Sequence, residues 1–174
     1  LGDITLRELI AVIKKLKRRR APGPDKIPNE IFKEMNENNL EEIRELLNDW
    51  WNYEDIPTET LKARIAFIYK KGSTEQYENY RPISLLDSLY KIFAAIIQRR
   101  VAAGTDKYLQ KTQYGFRKDK STSDAIHLIR RIAEYGEQTK DKLIVVLLDW
   151  EKAFDKVDRE KLVNSLKSIG IPQQ

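Results

Sequence analysis

The segment Leu143-Ile-Val-Val-Leu-Leu-Asp149-Trp-Glu-Lys-Ala-Phe154-Asp155 joins six consecutive apolar residues to a carboxylate and, a little further on, to an aromatic ring. An apolar run without alternation predicts a strand buried on both faces. Such a strand ends where the chain meets solvent, and Asp149 stands at that end. A rigid strand fixes a carboxylate beside a solvated cleft, and Mg²⁺ is commonly held by one or two carboxylates together with phosphate oxygens. A simple cap on the turn into the next helix accounts for Asp149 equally well. Phe154, read from periodicity alone, is a core aromatic at the start of that helix.

Working outward, Arg159 to Ile169 reads as a closing helix. Upstream, 122–138 is a helix with Ala125, Ile126, Ile129 and Ile132 on one face, and 87–104 is another, with Leu89, Ile92, Phe93, Ile96 and Ile97. Ala63–Tyr69 and Tyr80–Leu86 are strand-like and flank Lys70 to Asn79, a hairpin with a long polar tip. Pro28 opens an acidic helical region, 28–53, with a break expected near Asn38-Asn39. Thr5 to Arg20 is predicted helical, with Thr5 and Glu8 as a capping box. It ends in Lys14, Lys15, Lys17, Arg18, Arg19 and Arg20 and is stopped by Ala21-Pro22-Gly23-Pro24-Asp25. The order is mixed α+β, with helix exceeding strand.

Composition narrows the classes. No apolar run approaches the ~20 residues of a membrane span. With no cysteine and one histidine, His127, thiolate and His-rich metal sites are excluded. Residues 30–59 carry ten acids and two bases, which leaves the rest of the chain at +13 although the whole is only +5. A basic body with one acidic sub-region suits a polyanion such as nucleic acid; a well-solvated surface would also show it.

Two further stretches carry candidate chemistry. Lys70-Lys71-Gly-Ser and Arg81 flank a flexible loop, where cations can reach over a phosphate chain, although a Lys-Lys-Gly loop by itself also makes a solvated turn. Gln113-Tyr-Gly115-Phe116-Arg117-Lys-Asp-Lys-Ser121-Thr122 interleaves aromatics with bases ahead of a helix. Rings of this kind stack on nucleobases while the bases track phosphates.

Taken in order, Ala21-Pro22-Gly23-Pro24-Asp25, Lys70-Lys-Gly-Ser, Asn79-Tyr-Arg81-Pro-Ile-Ser-Leu-Leu86, Gln113-Tyr-Gly-Phe-Arg117 with Ser121-Thr122 and Asp124, and Leu148-Asp149-Trp-Glu-Lys152-Ala153-Phe154-Asp155 closely resemble the reverse transcriptase of non-LTR (LINE-type) retrotransposons. Lys26 departs from the pattern, standing where the family more often has glycine.

The resemblance implies a right-hand polymerase fold, of which this chain carries the fingers, with a β-hairpin, and the first part of the palm. Residues 1–60 are then an N-terminal helical extension with a template-contacting loop, 61–142 the fingers, and 143–174 the start of the palm. Asp149 matches the catalytic aspartate that binds both metals, with Mg²⁺ the expected ion in the full-length enzyme. Phe154 matches the steric gate against a ribose 2′-hydroxyl, and backbone around Lys152 and Ala153 the cradle of the triphosphate. Arg81 and either Lys70 or Lys71 match the cations that hold the incoming dNTP. Gly115, Phe116 and Arg117 match a template-contacting motif, as do Pro22, Gly23, Pro24 and Asp25. The implied partners are an RNA template, a DNA primer and dNTP, with no membrane, inside the cell and in the nucleus or cytoplasm of a eukaryotic host. The family's remaining carboxylates lie in a Tyr/Phe-x-Asp-Asp hairpin absent up to Gln174. The chain is therefore expected to be an enzyme fragment, inactive alone; the alternative is a noncatalytic nucleic-acid-binding remnant.

Overall fold

The computed structural model describes residues 2–140, 142–150 and 153–172. These fall into two compact units, 2–100 and 101–172.

The first unit starts with α1 (Leu6–Ile13). Thr5 caps it: its Oγ1 accepts from the Glu8 amide at 3.2 Å, and Glu8 Oε2 accepts from the Thr5 amide at 2.9 Å. The helix stops well short of the predicted Arg20. Like charges four apart, Lys14 with Arg18 and Lys15 with Arg19, repel along the helix. The chain tightens instead into i→i−3 bonds, Lys15 N–H to Val12 O and Leu16 N–H to Ile13 O. Side chains of α2 (Asn29–Glu34) take nearby carbonyls: Lys33 Nζ donates to Lys14 O and Asn29 Nδ2 to Lys17 O.

The acidic region divides at Met35-Asn36, earlier than expected, because Asn36 is the better-placed cap. Its side chain accepts from the Asn39 amide at 3.0 Å, which puts Asn38 and Asn39 in the first turn of α3 (Glu37–Tyr53). Leu9, Val12 and Ile13 of α1, Phe32, Leu47, Trp50, and Ile92, Phe93 and Ile96 of α4 (Ser88–Thr105) form one buried core with Ile4. Trp50 meets Phe93 edge-on at 5.6 Å. Each such side chain contributes roughly 1.5–3 kcal/mol on burial.

β1 (Ala63–Tyr69) and β2 (Tyr80–Leu86) pair antiparallel, with the predicted bounds for both strands. The tip folds on itself: Tyr69 Oη donates to Gly72 O, Tyr80 Oη to Thr74 O and Asn79 Nδ2 to Ser73 O.

In the second unit, α5 (Thr122–Thr139) is capped by Ser121 and Asp124, and α6 (Arg159–Ser168) by Asp158. The expected buried strand Leu143–Leu148 is a correction. Among the described residues these six join no sheet, and Ile144, Leu147 and Leu148 are each at least 85% exposed. A strand exists only with hydrogen-bonded neighbours, and no described residue pairs with this run. Ile126, Ile129 and Ile132 of α5 are likewise half exposed rather than buried.

Candidate nucleotide and nucleic-acid site

On the hairpin, Arg81 stands directly opposite Ile68. Directly opposed residues share a face, and alternation puts Arg64, Ala66 and Ile68 on it too. The Lys70 amide donates to Asn79 O at 2.7 Å, so the ladder runs one step past β1. Lys70 therefore continues on the face of Arg81, whereas Lys71 alternates away and leads into Gly72, whose φ of +96° opens the turn. Lys70, Lys71 and Arg81 are all exposed.

Residues 21–28 lie against the β2–α4 junction. Arg64 Nη2 donates to Pro22 O at 3.3 Å, and the Asp25 amide donates to Asp87 Oδ1 at 3.1 Å. Partial burial, helped by the neighbouring Asp87, pushes the Asp25 carboxyl above its ordinary range, against the Ile27 N–H that it accepts. Lys26 has φ +60°, the left-handed region that glycine enters without cost, which gives a physical reason for the family's preference at this turn. Pro24 and Lys26 are exposed, while Gly23 is buried. No motif in the sequence marks Asp87 or Ser88. The signal available was two polar residues directly after a strand that ends in Leu85-Leu86.

In the second unit, Phe116 and Phe154 meet edge-on, with ring centroids 6.3 Å apart. Phe154 is 82% exposed on a turn that precedes α6 by several residues, so it is not the core aromatic that periodicity suggested. Phe116 is 96% exposed with φ +59°, an uncommon conformation for a bulky residue, costing on the order of 1–3 kcal/mol. Arg117 is turned inward. Its Nε donates to Asp106 Oδ1 and its Nη1 to Gln110 O, both at 2.9 Å. That contact holds the Asp106 carboxyl below its usual range and raises the guanidinium. Gly115 and Ala153 are exposed, and Lys152 lies outside the described residues.

Asp149 is exposed at the end of the unpaired apolar run. Among the described residues no three His, Cys, Asp or Glu side chains cluster as a metal site. Asp149 offers one carboxylate, so these residues alone do not fit a two-ion centre. No helix among them is long and apolar enough to cross a membrane.

A profile of the reverse transcriptase (RNA-dependent DNA polymerase) family matches residues 68–174, more than half of the chain. The chain belongs to the reverse transcriptase family. Its relatives are proteins of LINE-type mobile elements. It is 31% identical, over 99% of its length, to the RNA-directed DNA polymerase from mobile element jockey of Drosophila melanogaster. It is 28% identical over 98% of its length to the transposon TX1 149 kDa protein of Xenopus laevis, and 31% identical over 68% to the type-1 retrotransposable element R2 polyprotein of Popillia japonica. It spans only 19%, 13% and 16% of those relatives, respectively.

Proposed function

We propose that this chain supplies the nucleotide-facing and template-facing part of an RNA-directed DNA polymerase of a LINE-type retrotransposon. On this reading it has the right-hand plan, with the extension at 1–60, the fingers at 61–142 and the start of the palm from 143. The observation that carries it is the hairpin face on which Arg81 and Lys70 stand together. Two exposed cations on one rigid ladder suit the charges of an incoming deoxynucleoside triphosphate. The exposed Phe154 ring borders the sugar and rejects a 2′-hydroxyl. Phe116, exposed at a strained backbone position, offers its face to a template base, with Gly115 leaving room for the strand and Arg117 bracing the turn. Pro22, Gly23, Pro24 and Asp25 form the second template-facing loop, and the backbone at Lys152 and Ala153 faces the triphosphate. Asp149 contributes one carboxylate toward a divalent cation, Mg²⁺ by the hardness of its oxygen donors.

The test is RNA-templated primer extension by the complete polymerase carrying this segment, with Asp149→Asn alongside. Extension that Asp149→Asn abolishes is the expected result. The 174-residue chain alone is expected to bind primer–template and to extend nothing, since one carboxylate does not make a two-ion site. Binding without extension in the complete protein would favour the noncatalytic remnant.

A further inference from the structure

The loop at 21–28 is attached to the junction of β2 and α4 by contacts that the family motifs do not include. Gly23 leaves no space for a side chain. A Cβ there would stand about 2.5 Å from both the Asp87 amide nitrogen and the Leu86 carbonyl carbon, and would also meet Asp87 Oδ1. Backbone atoms of a strand end cannot give way cheaply, so the two segments are in fixed contact. Asp87, 7% exposed, accepts the Asp25 N–H at 3.1 Å. Ser88, 1% exposed, has its Oγ 3.0 Å from both Ile27 O and Asn29 Oδ1. Within the loop the Lys26 amide donates to Gly23 O, and the Ile27 amide to Asp25 Oδ1, closing a tight turn. All of the fixing groups therefore lie on the inner side, while Pro24 and Lys26 face solvent.

We propose that Asp87 and Ser88 are positioning residues that hold the 21–28 loop in one conformation to receive a nucleic-acid strand. Because Asp87 directly follows the strand that carries Arg81, the same attachment registers the loop to the triphosphate-facing hairpin. The proposal rests on the reading that this loop faces template. A buried carboxylate that accepts a main-chain amide is costly to remove, since the donor is left without a partner. An ordered loop binds a strand without the entropy cost of ordering at that moment.

The experiment uses the 174-residue chain, with a mixed-sequence RNA template annealed to a short DNA primer as probe. Affinity is measured by titration, and amide hydrogen exchange is followed at Asp25. Asp87→Ala should lower protection of the Asp25 amide about tenfold and weaken binding by a similar factor, the scale of one lost buried hydrogen bond. Protection in α1 and α3 should stay unchanged. Asp87→Asn keeps an oxygen for the Asp25 N–H and should restore both properties. If Asp87→Ala also loosens α1 and α3, Gly23→Ala replaces it, since its Cβ pushes the loop off the Leu86–Asp87 backbone while the Asp87 carboxylate stays in the chain, and it should reproduce the weaker binding. Undiminished Asp25 protection in Asp87→Ala, or full RNA affinity despite lost protection, overturns the proposal. Failure of the wild-type chain to bind the probe sinks the template-facing reading instead, and the exchange arm tells the two apart.

Discussion

Lys70 and Arg81 share one face of a two-stranded ladder, joined through the pairing of Ile68 with Arg81 and the Lys70 N–H bond to Asn79 O. The sequence leaves Lys70 and Lys71 equivalent, and strand alternation separates them. In the complete polymerase, Arg81→Ala and Lys70→Ala should each raise KM for dNTP by roughly 10–100-fold, the range of a charge-assisted hydrogen bond. Lys71→Ala should change it by less than about threefold. Steady-state kinetics against dNTP concentration checks this, and equal effects at both lysines would refute the assignment.

Glu8 and Arg100 form a bidentate pair, Nε to Oε1 and Nη2 to Oε2, both at 2.8 Å. The Arg100 hydrogen bonds, with help from Thr5, hold the Glu8 carboxyl down at about 2, from an ordinary 4.5. Its ionised form is therefore favoured by folding. The stability it contributes is fully present above about pH 4.5 and is lost as pH falls toward 2. The Glu8 side chain is 33% exposed, so solvent screening trims the contribution to on the order of 2 kcal/mol. Glu8→Gln should lose about that much at pH 7 and flatten the acid limb between pH 4.5 and 2. Urea midpoints across pH give the comparison, and an unchanged acid limb would refute it.

Legibility in the sequence divided along a physical line. Helices and strands whose register is set locally were readable: the Thr5–Glu8 capping box, a helix from Thr122 and both strands of the hairpin stand where the pattern put them. What failed was decided by other parts of the chain. The end of α1 depends on Asn29 and Lys33, far along the sequence, which take its carbonyls. The run Leu143–Leu148 has a buried strand's composition, but composition does not supply a neighbour. At the candidate site, motif order singled out Arg81 and Phe154 as expected site residues. It could not show that Arg117 would be occupied by Asp106, or that Asp87 would accept the Asp25 amide, because both depend on tertiary contact.

The basic cluster after α1 is not uniform. Arg18 pairs with Glu34 at 2.6 Å, and the Arg19 amide donates to Glu30. Among the described residues Lys15, Lys17 and Arg20 make no ion pair, and all three are exposed. Binding of single-stranded RNA to the 174-residue chain should fall steeply with salt, by roughly 0.7 log units per phosphate contact for each log unit of salt. Replacing Lys15, Lys17 and Arg20 with glutamine should lower that slope by about 2, while Arg18→Gln should lower it by less than about 0.5. Titrations at several salt concentrations measure both slopes. A flat salt dependence in the wild type, or an equal effect from Arg18→Gln, would rule out this division of the cluster.

Phe154 offers the sharpest discrimination. Its ring is exposed, braced on one side by the edge-on ring of Phe116, and it stands five residues after Asp149 in the sequence. A flat ring fixed beside the sugar leaves room for the C2′ hydrogen of a deoxynucleotide and clashes with a hydroxyl there. Shortening it to Val should admit ribonucleotides in the complete polymerase. The lost discrimination should be on the order of 1–3 kcal/mol, about 5- to 150-fold in the ratio of kcat/KM for dNTP over rNTP. Because the ring is not in a core, Phe154→Val should cost little stability, less than about 1 kcal/mol. Phe116→Ala removes the neighbouring ring while keeping Phe154, so it should relax the ratio only partly. The three measurements separate the possibilities. A gate changes the ratio without changing Tm, whereas a packing residue changes Tm. An unaltered ratio in Phe154→Val at full stability would remove Phe154 from the nucleotide site.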